Sequence, residues 1–466
     1  MTLRIFSRIV LITCSLLATT VLAVESSAKP NILLVIVDDM GYADPGCYGG
    51  GVKTPNIDRL AAEGMRFTNA YSGCCVCAPA RSTLMTGFHM GHTSVRNNSG
   101  GVSLAEEDVT FAQMLKPFGY RVGGFGKWGL GDTESPGVPE KKGFDEFFGF
   151  YHQIHAHNHY TDYLWRNSVK EMQKPDATGN PPYAQYAVIE NAKRFIRESV
   201  AAKKPFFCYC PWTPPHGNFV IPDSDPAVAL YADRSWSNQI KIYAAMSSMV
   251  DRQLGELLEL LRELDVEDST IVLFMSDNGT ADRYEGTLNS AGPFRGSKTE
   301  LYEGGIRVPL VIKMPQLIQA GSVTDLPVAF YDFPATLLEL IGEQPPEKGD
   351  GISFAPTLLG HADAQKKHEY LYWEYEPVNW GLLATGRVTI PSQREQAVRM
   401  GNWKGYRKTP ASSIEVYDLV ADIGEKSNIA AQHPDVVQKI ADIMREGRVD
   451  MRHQPEPVRP TGINYN

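Results

Sequence analysis

Ile32-Leu33-Leu34-Val35-Ile36-Val37-Asp38-Asp39 is a run of six apolar residues, mostly β-branched, closed by two acids. A run that short with no polar face reads as a strand buried on both sides, as in a parallel sheet. Similar runs occur at Phe206–Cys210, Ile271–Met275 and Val308–Ile312. Helical patterns separate them. Pro55 stands where a first helical residue should, ahead of Ile57, Leu60 and Ala61. Val188–Val200 is amphipathic, Ile240–Leu264 carries Ile242, Met246, Met249, Leu257 and Leu261 on one face, and Phe330–Ile341 comes next. This alternation predicts an α/β fold, an open sheet sandwiched by helices. From Leu371 the texture changes to short aromatic-rich segments: Leu371–Tyr375, Gln396–Met400, Trp403–Tyr406 and Ile414–Leu419, then a helix near Pro434–Arg445. They predict a smaller antiparallel sheet with one helix. The Pro-, Gly- and charge-rich stretch Glu343–Gly351 marks a boundary between a main domain, 29–350, and a C-terminal α+β subdomain, 351–466. Asp132–Ala184 and Thr213–Ser235 lack periodicity and are expected to be long functional loops.

With 466 residues, 43% hydrophobic and 21% charged, the chain can bury a large core and is not disordered. Its 45 basic and 54 acidic residues, net −9, argue against nucleic acid as a partner. Arg4 and Arg8 precede the apolar run Ile9–Val21, and Val21-Leu22-Ala23 resembles a small-residue cleavage site. Residues 1–23 therefore read as a signal peptide, and the protein is expected to be periplasmic or secreted. No later segment reads as a membrane span. Seven cysteines are too few for a disulfide scaffold, and most read as buried small hydrophobes. Cys208 and Cys210, two apart on a strand, should point the same way.

The residues just past each strand are more telling. Ile32–Val37 runs into Asp38-Asp39, Ile271–Met275 into Ser276-Asp277-Asn278-Gly279, Arg121–Phe125 into Gly126-Lys127-Trp128, and Phe206–Cys210 into Pro211-Trp212-Thr213-Pro214-Pro215-His216. Sites in open α/β sheets form at the carboxyl ends of strands. If these strands are neighbours, one rim collects acids, an amide, a lysine and a histidine. Asp38, Asp39, Asp277 and Asn278 offer only oxygen, which suits Ca²⁺, or less well Mg²⁺, rather than zinc. Asn97-Asn98-Ser99 and Asn278-Gly279-Thr280 are glycosylation sequons, though an Asn278 that binds metal could carry no glycan.

Cys77-Ala78-Pro79-Ala80-Arg81, with Thr86-Gly87 downstream, resembles the signature of the type I sulfatase family. Asp38-Asp39, Gly126-Lys127-Trp128, Ser276-Asp277-Asn278-Gly279, Arg295-Gly296-Ser297-Lys298 and Glu303-Gly304-Gly305-Ile306-Arg307-Val308-Pro309 match that family in type and order. Tyr417-Asp418-Leu419 with Glu425 and Asn428 resembles its C-terminal pattern.

The resemblance implies an alkaline-phosphatase-like mixed sheet and hydrolysis of sulfate monoesters. It also implies that a maturation enzyme oxidises Cys77 to formylglycine. The hydrated aldehyde offers one hydroxyl to attack sulfur and a second through which sulfate is expelled. The ligand set implied is Asp38, Asp39, Asp277, Asn278 and residue 77, around a cation that lowers the nucleophile's pKa and neutralises sulfate charge. Arg81, four residues past Cys77, would hold the hydrated residue near the metal. Lys127 and Lys298 would bind sulfate oxygens, and His216 and Lys298 would protonate the leaving oxygen. One departure stands out: the family usually has histidine where Gly129 stands in Gly126-Lys127-Trp128-Gly129. Four of the 11 histidines lie in His152–His159, and His157 is the expected substitute or substrate ligand. Irregular loops rich in Tyr, Trp, His and Arg, Trp165 and Arg166 among them, suggest a sulfated carbohydrate as substrate. Two rival readings remain open here: a phosphonate or phosphate ester hydrolase on the same fold, and a catalytically silent binder of sulfated glycans.

Overall fold

The structure, a computed structural model, describes residues 29–99, 102–175, 179–281, 287–378 and 390–450. The expected signal peptide, 1–23, lies outside them. The strands are β1 Asn31–Asp38, β2 Met65–Phe67, β3 Ala70–Tyr71, β4 Arg121–Lys127, β5 Glu146–Phe150, β6 Tyr163–Arg166, β7 Val169–Met172 and β8 Phe206–Pro215. They continue as β9 Thr270–Ser276, β10 Leu310–Lys313, β11 Ser322–Thr324, β12 Val328–Ala329, β13 Leu371–Tyr375, β14 Glu395–Met400, β15 Trp403–Arg407 and β16 Glu415–Asp418.

Ten of them form one mixed sheet in the order β11-β2-β10-β9-β1-β8-β4-β5-β6-β7. The central four, β9-β1-β8-β4, are mutually parallel, so their carboxyl ends share one rim. Every residue of β1 is buried. Its odd and even positions feed different cores: Ile32, Leu34 and Ile36 pack on one face, Leu33, Val35 and Val37 on the other. Each such side chain contributes roughly 1.5–3 kcal/mol relative to exposure. Helices cover both faces; Ala184–Ala201 and Asn238–Glu263 lie on one of them, against Phe125, Phe206 and Phe274. β10 pairs antiparallel with β9 and begins two residues later than expected, at Leu310, because Pro309 has no N–H for the ladder.

β3 and β12 pair parallel on their own, and β13-β14-β15-β16 form a four-stranded antiparallel sheet. Tyr372, Val398 and Val416 bury its face against Val436, Ile440 and Met444 of the helix Pro434–Glu446. The mixed, helix-sandwiched sheet with this smaller antiparallel sheet and helix is the expected fold class.

The expectation for Asp132–Ala184 needs correction. Much of it is not loop: β5, β6 and β7 extend the main sheet at its edge. Trp165 stacks on Tyr151 with ring centroids 5.1 Å apart, and Arg166 binds Glu146 and Glu171, so both build this edge. Thr213–Ser235 likewise begins as strand, since β8 runs to Pro215. Cys208 and Cys210 do face the same side, with sulfurs 3.7 Å apart. Among the described residues no helix is long and apolar enough to cross a membrane.

Candidate active site

The helix Cys77–Thr86 starts at the rim, with Cys77 as its first residue, 1% exposed. Asn98 accepts the Ala78 N–H at 3.3 Å and so satisfies one of the orphan donors of the first turn. Cys77 Sγ lies 3.2 Å from Asp38 Oδ1 and 3.6 Å from Lys298 Nζ. Burial, reinforced by Asp38, pushes the thiol up to about 12. One turn on, the fully buried Arg81 donates to Asp277 Oδ2 from Nε at 3.1 Å and from a terminal nitrogen at 2.9 Å, and also to the Lys127 carbonyl. It ties the helix to the ends of β9 and β4 and meets Asp38 only at 3.5 Å.

Asp38 closes β1, and Lys127 closes β4 with its ammonium 2.5 Å from Asp38 Oδ2. Burial opposes the Asp38 charge, but Lys127, His216 and Arg81 outweigh it and hold its carboxyl well below the ordinary value. Asp39 has left-handed backbone, φ 66°, which turns its carboxylate back toward the rim. Its oxygens accept from Asn278 Nδ2 at 2.7 Å and from Lys298 Nζ at 2.7 Å each. Burial still raises Asp39, and burial with the Asp38 charge pushes Asp277 up to about 7. His216, just past β8, places Nε2 3.2 Å from Asp39 Oδ2 and Nδ1 3.8 Å from Asp38 Oδ2. His157 packs edge-on to His216 with ring centroids 4.5 Å apart. Burial, then His216 and Lys127, drive its ring down to about 2, so it is neutral.

The geometry thus gathers Asp38, Asp39, Cys77, Arg81, Lys127, His216, Asp277, Asn278 and Lys298, with His157 one ring further out. Two features fit a hard cation among the acids. Ligand atoms of Asp38, Asp39, Cys77 and Asp277 all lie within 4.8 Å of one another. The Asn278 side-chain oxygen is buried without a hydrogen-bond partner, since its amide nitrogen serves Asp39 and the Gly279 carbonyl. A buried carbonyl oxygen left unpaired costs about 1–3 kcal/mol unless something accepts its lone pairs.

The position of the family histidine is filled differently. Gly129 has φ 75°, and a Cβ there would stand 3.1 Å from Gln153 Cγ. Gln153, unmarked in sequence, covers this spot. Asn98 was visible only as part of a sequon, and Asn97 is 5% exposed with its oxygen held by Ser99, a poor glycan acceptor.

Buried carboxylates, an unpaired amide oxygen and two lysines around residue 77 fit one class: a hydrolase whose acids could hold a hard cation and whose lysines could meet an anionic ester. Comparison narrows it. The Sulfatase family model matches residues 30–343, and the "N-sulphoglucosamine sulphohydrolase, C-terminal" model matches 296–454. Rat N-acetylgalactosamine-6-sulfatase is 32% identical over 74% of this chain and 68% of its own. Human arylsulfatase A is 28% identical over 91% and 89%. Among solved structures, "Ps i-CgsB in complex with k-i-k-neocarrahexaose" superposes with a TM-score of 0.78 at 26% identity, covering 92% of this chain and 94% of the other. The chain belongs to the sulfatase family, has its alkaline-phosphatase-like fold, and is a sulfuric ester hydrolase.

Proposed function

We propose that the protein is an exported sulfatase that removes sulfate from a carbohydrate, with residue 77 converted to formylglycine by a maturation enzyme and with Ca²⁺ at the acid cluster. The observation that carries this reading is the placement of Cys77 at a helix N-terminus, 3.2 Å from Asp38 and 3.6 Å from Lys298, in an acid cluster whose Asp39 is bonded by Asn278, the side chain with the unpaired oxygen. The names of relatives support a sugar: an N-acetylgalactosamine-6-sulfatase and a structure bound to a neocarrahexaose.

Asp38, Asp39, Asp277 and Asn278, with residue 77, would hold the cation, which supplies charge neutralisation and a more acidic nucleophile. The formylglycine form of residue 77 supplies, once hydrated, the hydroxyl nucleophile and a second hydroxyl for sulfate release. The remaining work falls to ordinary side chains. Lys127 and Lys298 reach into the cluster and would exchange carboxylate contacts for sulfate oxygens, placing two positive charges where negative charge gathers. Lys298 and His216, both against Asp39, would hand a proton to the departing sugar oxygen, His216 only once bound sulfate offsets the burial and the Lys298 charge that hold its ring well below the ordinary value. Arg81 fixes Asp277 and the helix so that residue 77 does not drift. Burial of Asp38, Asp39, Arg81, Lys127, Asp277 and Asn278 keeps bulk water from the base of the cluster and strengthens its contacts, while Lys298 and His216 stay partly open to solvent.

The test is a screen of defined sulfated mono- and oligosaccharides with mass detection, comparing wild type produced with a formylglycine-generating enzyme against Cys77→Ala. Desulfated product from wild type alone supports the reading. Phosphate or phosphonate ester turnover exceeding sulfate release under one condition would replace it.

A further inference from the structure

Beside the catalytic cluster lies a cavity of about 430 Å³, within the range typical of small-molecule sites. Lys298 and Val76 line its inner end, next to Cys77. Its outer wall comes from the C-terminal strands: Tyr375 of β13, Glu395 of β14, and Lys408 just past β15. We propose that this cavity seats the sugar ring bearing the scissile sulfate, with Tyr375 as its aromatic face and the Glu395–Lys408 pair as its hydroxyl-reading group. This deepens the sulfatase reading above and rests on it.

Three observations carry the assignment. First, Glu395 is 1% exposed yet lines the cavity, and its carboxylate is fixed by Tyr406 Oη at 3.0 Å and by the Lys408 ammonium. A buried carboxylate fixed by two donors is an oriented acceptor for sugar hydroxyls. Second, Thr299, on the wall beside Lys298, has φ 75° and is pinned by its N–H to the Cys75 carbonyl at 3.0 Å. A β-branched residue in left-handed conformation costs free energy that a plain loop would avoid, and such strain collects at ligand sites. Third, charge is balanced. The Lys298 ammonium is engaged by Asp39 and that of Lys408 by Glu395, so this wall offers paired charges, an amide from Asn98 and hydroxyls. That lining suits a hydroxyl-rich ring that is neutral apart from its ester.

The experiment uses 4-nitrophenyl sulfate, which has no sugar, and a sulfated galactan oligosaccharide, on wild type, Tyr375→Ala, Tyr375→Phe and Lys408→Ala. The quantity read is the ratio of kcat/KM for the oligosaccharide to kcat/KM for the aryl ester. The expected result is a fall of about tenfold or more in Tyr375→Ala and Lys408→Ala, with Tyr375→Phe restoring most of it. Lys408 is exposed, but it partners the buried Glu395 carboxylate, so Lys408→Ala is compared only as a preparation whose Tm matches wild type, and Tyr375→Ala against Tyr375→Phe carries the test if it does not. Equal fractional loss on both substrates would overturn the assignment. If wild type releases sulfate from neither, the sulfatase reading fails instead. Calorimetric binding of the same oligosaccharide to the unmodified chain then decides. A Kd weakened about tenfold in Lys408→Ala supports the seat, and an unchanged Kd removes it.

Discussion

Lys298 is the residue on which most of the site converges: its ammonium touches both oxygens of Asp39 and the sulfur of Cys77. Removing such a preorganised donor typically costs about 10²–10³ in rate. Lys298→Ala should therefore lower kcat for sulfate release by about that factor, read by steady-state kinetics; a change confined to KM would reduce it to ordinary binding. His157→Ala should lower turnover at least tenfold. Near-native rates would leave His157 as packing for His216. Asp38, Cys77 and Asp277 were legible because chemistry-bearing residues at strand ends and in a dense local signature need no tertiary information. Tyr375, Thr299 and Gln153 were not. Each acquires its place only when distant segments meet, and an isolated Tyr, Thr or Gln carries no signal of which neighbours it will find.

At the level of elements, the rim exists because β9, β1, β8 and β4 lie side by side and parallel. Six uninterrupted apolar residues made β1 readable, and the ladder in fact includes Asn31 and Asp38. β5 to β7 escaped because they are only four or five residues long and lack clean alternation: β5 is buried between β4 and β6, and β7, the edge strand, is polar and mostly exposed. If acids from two strands cage a cation, folding and cation binding are linked. Ca²⁺ at a hundred times its Kd should stabilise the protein by about 2.7 kcal/mol, seen as a rise in Tm on titration. Asp277→Asn should abolish most of that rise, and chelation should reverse it in wild type. A Tm indifferent to Ca²⁺ would deny the cage.

For the molecule as a whole, the main sheet and the C-terminal strands are joined by a buried charge network. Lys404 of β15, fully buried, donates to Glu303 Oε1 at 2.7 Å. Glu303 Oε2 accepts from Arg307 Nε at 2.8 Å and Tyr71 Oη at 2.7 Å, while Glu425 accepts the Glu303 N–H at 2.7 Å. Removing one partner of such a pair leaves an uncompensated buried charge, at a cost of about 3–5 kcal/mol. Lys404→Met should show this in urea denaturation at neutral pH; a loss below about 1 kcal/mol would mean the network is solvated. Burial opposes the Glu303 charge, yet Lys404, Arg307 and Arg399 hold its carboxyl far below the ordinary 4.5. A depressed folded value contributes stability that is complete above 4.5 and lost as pH falls through the folded value. Stability should thus decline on acidification below 4.5, and less steeply in Glu303→Gln. Because the same C-terminal strands wall the cavity beside Lys298, loosening this network is also expected to raise KM for saccharides.

Residue 77 as the reacting group is the claim on which the rest depends. Sulfate release per chain should be measured across preparations in which mass spectrometry fixes the fraction of residue 77 converted to the aldehyde. Turnover proportional to that fraction, with none in Cys77→Ala, is the result predicted. Turnover independent of it, or undiminished in Cys77→Ala, would contradict that claim.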